Sequence, residues 1–255
     1  MSRKRKKRTL FARLGRVLVL AFAALVGVLV GWEALFLRLD SLRDPRAVRT
    51  LTVPTPQGSR PLIVGPQNPY WTPLGSVSRT LILCVVRAED AKFFQHNGFD
   101  WDQMQDSFET NVEEGRYKRG GSTITMQLAR NLFLWRRKLM VRKVLEVYLT
   151  WRLEHTLDKR RILELYLNAA EWGPGIYGIG EASRHYFGKP PSALTLGESA
   201  MLAAILPSPL RWNPERAPQV AMRRQQELLS RLRRENAIPP ESPTEDDGRD
   251  QRERP

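Results

Sequence analysis

Between Arg16 and Arg38 runs VLVLAFAALVGVLVGWEALFL, 21 residues in which Glu33 is the only charge. As a helix this stretch is roughly 31 Å long, about the thickness of one hydrocarbon core. A cleaved signal peptide has a shorter apolar centre, of about 7 to 15 residues, followed by a small-residue cleavage site. Here the run is longer and RLDSLRDPR follows it, so the expectation is an uncleaved membrane anchor over 17–37, with a signal peptide as the lesser reading. Residues 1–16 carry eight Lys and Arg and no acid, while residues 38–60 carry five Arg and two Asp. That asymmetry keeps the basic arm, 1–16, in the cytoplasm and puts everything after the anchor on the far side of the membrane. The arm could instead bind nucleic acid, but its position directly before a spanning segment makes topology the simpler account, and no nucleic-acid partner is expected.

The chain has 255 residues, enough for one sizeable domain with appendages, and 41 Lys and Arg against 27 Asp and Glu. Such an excess suits an anionic lipid surface or a phosphate-bearing substrate. One cysteine and three scattered histidines support neither a disulfide framework nor a zinc cluster. Residues 38–75 hold many prolines and read as an irregular or extended juxtamembrane linker. From 76 to 235 the apolar runs have helical length, at 80–86, 139–153 and 162–170, with further helices expected over 195–206 and 218–234. No strand alternation stands out. Residues 236–255, proline-rich and charged, bury too little to fold. The expected class is mainly α, one helical domain behind one N-terminal transmembrane helix.

Four segments carry chemistry. In RAEDAKFFQHNGFD, a helix continuing to Asn97-Gly98 would align Glu89, Phe93 and His96 on one face. A carboxylate against an aromatic wall has a raised pKa and suits a general acid or base. The plain alternative is an acid exposed at a helix end. In GGSTITMQLARN, paired glycines precede Ser122 and Thr123, either of which suits an N-cap. The plain reading is an ordinary capped helix; with Arg116, Lys118, Arg119 and Arg130 around it, the helix N-terminus reads as an anion site. In RRKLMVRKVLE, Arg142 and Lys143 lie at i−4 and i−3 from Glu146, a spacing that is usually a solvated ion-pair face. The fourth, RRILELYLNAAEWGPGIYGIGEASRHYFGK, has a helix whose Ile162, Leu163, Tyr166 and Leu167 read as core, then a glycine-rich loop. There Glu171 could be a third catalytic acid, although fixing the loop is the better reading.

As an ordered set, EDAKFFQHNG, GGSTITMQ, RKVLE and ILELYLN…GPGIYGIGEASRHYFG resemble the peptidoglycan-polymerising glycosyltransferase family over about residues 80–215. Within it the chain is similar to the monofunctional branch, which has one N-terminal anchor and little else. Neither S-x-x-K nor K-T-G occurs, so the transpeptidase activity of bifunctional penicillin-binding proteins is not expected. The resemblance implies a lysozyme-like helical fold and, as substrate, lipid II, the undecaprenyl diphosphate-linked disaccharide-pentapeptide, together with the nascent glycan chain. It implies that Glu89 takes a proton from the acceptor's 4-hydroxyl as that oxygen attacks the anomeric carbon, inverting it. Phe93 would lower the polarity, His96 orient the turn, and Asp90 anchor it. Ser122, Thr123, Gln127, Arg130, Lys138, Arg142 and Lys143 would hold the diphosphates. Glu146 matches a second essential acid, which either orients the donor or holds a divalent cation, magnesium or manganese. No cofactor is otherwise required. Asn168 and Arg224 complete the implied substrate-binding set. Membrane lipid and other cell-wall synthesis proteins are the implied partners, and the cytoplasmic membrane the implied location, with the catalytic domain outside.

Met126 stands where the family's first glutamine is usual, and Arg130 and Lys138 exchange the familiar Lys and Arg, which need not preserve geometry. Three other readings compete. A lytic enzyme of similar fold would also need one buried Glu, but has no use for cations beside an anion site. A catalytically silent scaffold is favoured by Met126 alone. A tethered polyanion binder would leave the ordered acids and glycines unexplained.

Overall fold

The computed structural model describes residues 39–113, 121–134 and 140–239, with a few exposed helical positions between 15 and 31. Most of the anchor at 17–37, most of the basic arm, Arg116, Lys118, Arg119, Lys138 and the tail beyond 239 therefore lie outside the described residues. Among the described residues no helix is long and apolar enough to cross a membrane.

After a 3-10 turn at Leu39–Arg43 the chain forms a hairpin, β1 (Arg49–Thr55) antiparallel to β2 (Gly58–Val64), in register from Arg49↔Val64 to Thr55↔Gly58. Of the irregular and extended readings of 38–75, the extended one holds over 49–64, and the strands pair although no strand alternation stood out. Pro54 and Pro61 obscured the strands, because a proline withholds one ladder donor. A two-stranded ribbon has a free edge on both strands, and there the missing N–H costs nothing. Val53, Leu62 and Val64 point inward and are buried.

Among the described residues, the regular elements that follow are helices apart from one short hairpin. Helix α1 (Arg79–Glu89) starts at Ser78, whose hydroxyl accepts from Leu81 N, and buries Leu81, Cys84, Val85 and Val86. It stops at Asp90, eight residues before the glycine expected to end it. Asp90 leaves helical geometry at φ −160°, ψ 77° while its N–H still closes the last turn onto Val86 O. Helix α2 is Trp101–Glu113, and α3 (Ile124–Phe133) is capped by Thr123 Oγ1, which accepts from Met126 N. Helix α4 is Met140–Thr156. Helix α5 (Lys159–Ala169) is capped by Asp158 and is buried on most sides, with Ile162, Leu163, Leu165, Tyr166 and Leu167 in the core and Arg161 and Asn168 buried too. That pattern marks the central helix of a layered core, and α3 packs against both α4 and α5.

Strands β3 (Glu171–Gly173) and β4 (Ile176–Tyr177) form the second hairpin, and α6 (Ile179–Phe187) ends at Gly188. Gly175 turns the hairpin at φ +78°, and a Cβ there would lie 2.9 Å from Pro56 Cδ. Only glycine meets both demands, so the two hairpins touch at this point. Helix α7 (Leu196–Ile205) opens with a Thr195–Glu198 capping box and packs between α1 and α8 (Pro218–Arg234). The helices at 196–205 and 218–234 agree with those read from the sequence.

Candidate active site

A cleft of about 1160 Å³ opens between the first hairpin and the helices. Leu51 to Pro54 of β1 line one side. Glu89 at the end of α1, Ser122, Gln127 and Arg130 of the α3 region, Arg142 of α4 and Tyr166 of α5 line the other. Trp212 and Arg231 lie at its margin.

Glu89 is the last residue of α1, so its side chain leaves the helix while its backbone stays fixed. Gln127 Nε2 donates to its Oε2 at 2.6 Å, and Tyr166 donates its hydroxyl hydrogen to Gln127 Oε1 at 3.1 Å. Oε1 of Glu89 is buried and has no hydrogen-bond partner among the described residues. Burial raises the carboxyl from its ordinary value of 4.5 to about 6, helped by the charge of Asp90 and opposed by the Gln127 hydrogen bond and the positive charge of Arg130. A carboxylate raised this far is ionised at neutral pH but holds its proton more tightly than a surface acid, which is what a general base requires.

The neighbouring carboxylate faces the opposite way. Asp90 is fully buried; its Oδ2 accepts from Ile124 N at 3.0 Å and its Oδ1 pairs with His96 Nε2 at 2.9 Å. His96 Nδ1 accepts from Gly98 N at 3.1 Å, so Nε2 carries the hydrogen and donates it to Asp90. Gly98, at φ +92°, returns its carbonyl to Thr123 Oγ1 at 2.7 Å. Residues 90–98 are thus a turn stitched to the start of α3. Asp90 ties this turn to α3 and His96 braces it, and neither they nor Phe93, all three also read as substrate-binding, line the cleft. The helical face shared by Glu89, Phe93 and His96 does not form, because the carboxylate of Asp90 pulls the chain out of the helix. Phe93 is buried in the core, with Lys159 Nζ 4.5 Å above its ring.

The N-terminus of α3 was expected to hold a phosphate. Its positive end already meets a negative charge from within the protein, Asp90, and Thr123 is a fully buried cap. An anion in the cleft therefore falls to Ser122, Arg130 and Arg142, which line it. Gln127 is engaged with Glu89 and Tyr166. Glu146 is buried one turn along α4 from Arg142, and Lys143 Nζ donates to its Oε1 at 2.7 Å. Neither Glu146 nor Lys143 lines the cleft. Among the described residues no three acidic, histidine or cysteine side chains converge on one point. With an ammonium already on Oε1, Glu146 is a poor ligand for a divalent ion.

Asn168 lies elsewhere. Its Oδ1 accepts from Thr72 N at 2.9 Å, and its Nδ2 donates to Thr72 O and Glu164 O, a clamp that exhausts the amide on backbone. The guanidinium of Arg224 sits 3.1 Å over the Trp212 ring, behind the cleft margin. Met126 is buried in the core and does not line the cleft. Its exchange for an amide therefore removes nothing from the cleft wall, and the one feature favouring a silent scaffold loses its force. Glu171 lines the cleft, and Glu181 accepts from the loop through Tyr177 N at 3.4 Å.

Sequence reasoning missed Tyr166 as a site residue, and the whole β1 wall. Tyr166 read as core, and it is buried; what mattered was a buried phenol that must find a hydrogen-bond partner.

A family profile described as Transglycosylase matches residues 60–233. The chain is 44% identical over 162 residues to the biosynthetic peptidoglycan transglycosylase of Laribacter hongkongensis, covering 64% of this chain and 71% of that protein. It is 48% identical over 146 residues to the protein of that name from Rhodospirillum centenum, covering 57% of this chain and 63% of the relative. The corresponding protein of Nitrobacter winogradskyi is 46% identical over 166 residues, covering 65% and 73%.

Proposed function

This chain belongs to the transglycosylase family, and on that premise we propose that it polymerises lipid II into linear glycan strands of peptidoglycan. The observation that carries the reading is Glu89, whose Oε1 is buried and unpartnered in a cleft that also holds Arg130 and Arg142. A sugar hydroxyl entering the cleft can supply the partner that this oxygen lacks.

In the proposed step the acceptor's 4-hydroxyl gives its proton to Glu89 Oε1. The oxygen forms a bond to the donor's anomeric carbon from the face opposite the diphosphate, and the bond from that carbon to the diphosphate oxygen breaks. The linkage inverts from α to β, and the lipid diphosphate leaves with the electron pair. The departing group develops negative charge, and Arg130 and Arg142 stabilise it without needing to donate a proton. Lys143, which pairs with Glu146 outside the cleft lining, adds to the positive charge of α4. Glu146, fixed by Lys143, holds that side of α4 in place.

The proposed placement is a single-pass protein of the cytoplasmic membrane, with residues 1–16 inside and the catalytic domain outside, so that a lipid-linked donor reaches the cleft from the bilayer. Other cell-wall synthesis proteins are proposed partners. Incubating purified protein with labelled lipid II tests the reading. The expected product is long glycan, and either no conversion or cleavage of finished glycan would overturn it.

A further inference from the structure

Gln127 sits between two groups that want different ends of its amide. Tyr166 is buried and donates to Oε1; Glu89 accepts from Nε2. An amide turned the other way would set its oxygen against the carboxylate and its NH2 against a donor. The tyrosine therefore selects the amide orientation, and the amide in turn selects which carboxylate oxygen is held and which is left open. We infer that Tyr166 and Gln127 form a positioning relay for Glu89, holding Oε2 so that Oε1 alone meets the acceptor hydroxyl. Neither residue touches the reacting atoms. This rests on the reading of Glu89 as the base, and it gives Gln127 a role other than diphosphate binding.

The last torsion of a glutamate is broad and soft. A base free to rotate would present either oxygen, at varying distance, to a hydroxyl that must be met at hydrogen-bond range. The Gln127 hydrogen bond also favours the ionised form and so works against the burial that raises Glu89. Tyr166 stays protonated, and so remains a donor, because burial and then the charge of Glu89 push its hydroxyl well above the usual range. The charged and titratable groups facing Glu89 are Asp90 beside it, Arg130 on α3 and Tyr166 on α5. Lys92, Asp100, Arg142, Glu171 and Arg231 line the same cleft.

The test compares wild type with Tyr166→Phe and Gln127→Met in lipid II polymerisation across pH 5 to 9. Each variant is expected to lower kcat about 10- to 100-fold, with KM within about twofold. In Gln127→Met the acid limb should move up by roughly 0.5 to 1 pH unit, because the carboxylate loses the bond that kept it ionised, and in Tyr166→Phe, which keeps the amide but not its anchor, it should move the same way by less. The Glu89 carboxyl, followed by carbon NMR of labelled glutamate, should titrate higher in both variants, and more so in Gln127→Met. That readout does not depend on turnover. If Tyr166→Phe fails to fold, Gln127→Met, at a half-buried position, carries the test. A wild-type profile and wild-type titration in the folded variants would overturn the relay, as would a loss confined to KM. A wild type that makes no glycan would overturn the proposed function instead, and the NMR titration would still decide the relay.

Discussion

The two sides of the cleft are held by different means. On the helical side Glu89, Gln127 and Tyr166 come from three helices and are joined side chain to side chain, while Asp90 ties the same turn to the start of α3. On the other side the β1–β2 hairpin contributes Leu51 to Pro54 and is fastened from outside. Arg60 donates to both oxygens of Glu181 at 2.9 and 2.6 Å and to Gly175 O at 3.2 Å. Tyr177 donates to Pro54 O, and Arg49 donates to Leu132 O while lying over the Phe133 ring. Buried polar contacts enforce one geometry at a cost in desolvation, whereas partly exposed ones are cheap and yielding. The chemistry is built on the first side and the shape of the channel on the second.

If that division holds, the largest effect comes from the helical side. Glu89→Gln is expected to cut glycan synthesis by about a thousandfold or more, while circular dichroism stays native. Its stability should move the opposite way. The folded carboxyl is raised above its unfolded value, so the fold binds that proton more tightly than the open chain does. Glu89 therefore favours folding below about pH 4.5, and that advantage is lost as pH rises through about 6. Keeping it ionised at neutral pH costs about 2 kcal/mol. The neutral variant should melt no lower than wild type at pH 7.5, and a marked drop in its melting temperature would show that Glu89 holds the fold instead of straining it. Wild-type rate should fall about tenfold between pH 7 and pH 5 as the base is protonated through about 6. A flat profile over that range would remove Glu89 from its role.

Legibility in the sequence follows the same division. The two adjacent acids were visible as a pair, and Asp90 was separable from Glu89 as the anchor. The alignment of Glu89, Phe93 and His96 was not, because it assumed a helix that Asp90 ends by bonding to Ile124, 34 positions away. Periodicity carries no information about such a contact. For the same reason the start of α3 read as a phosphate site when its charge partner is internal, and Asn168 read as a substrate ligand when it serves the backbone of Thr72. The long helices were legible because their apolar faces repeat locally. The β1 wall was not, since each strand has only one partner and a proline in it.

Asp90→Ala probes the helical side without touching the base. It leaves the His96 Nε2–H and the Ile124 N–H buried without acceptors, which should cost roughly 2 to 4 kcal/mol. The melting temperature should drop by several degrees, and the remaining folded protein should be slow, because the turn that carries Glu89 is no longer pinned to α3. A variant as stable as wild type would mean that water replaces Asp90 freely and that this side is not rigid.

The smallest effect, and the sharpest test of the contrast, lies on the hairpin. Arg60 and Glu181 are partly exposed, at 38% and 25% of their side-chain surface, so their ion pair adds little to global stability. Arg60→Ala removes the bonds to Glu181 on α6 and the one to Gly175 in the β3–β4 turn, and lets Leu51 to Pro54 drift from their place over the cleft. Unfolding should be nearly unchanged. KM for lipid II should rise about three- to tenfold, with kcat and the position of the acid limb as in wild type, since no contact to Glu89 is altered. A fall in kcat or a shifted limb in this variant would mean that the hairpin reaches the base after all, and that the two sides of the cleft work as one.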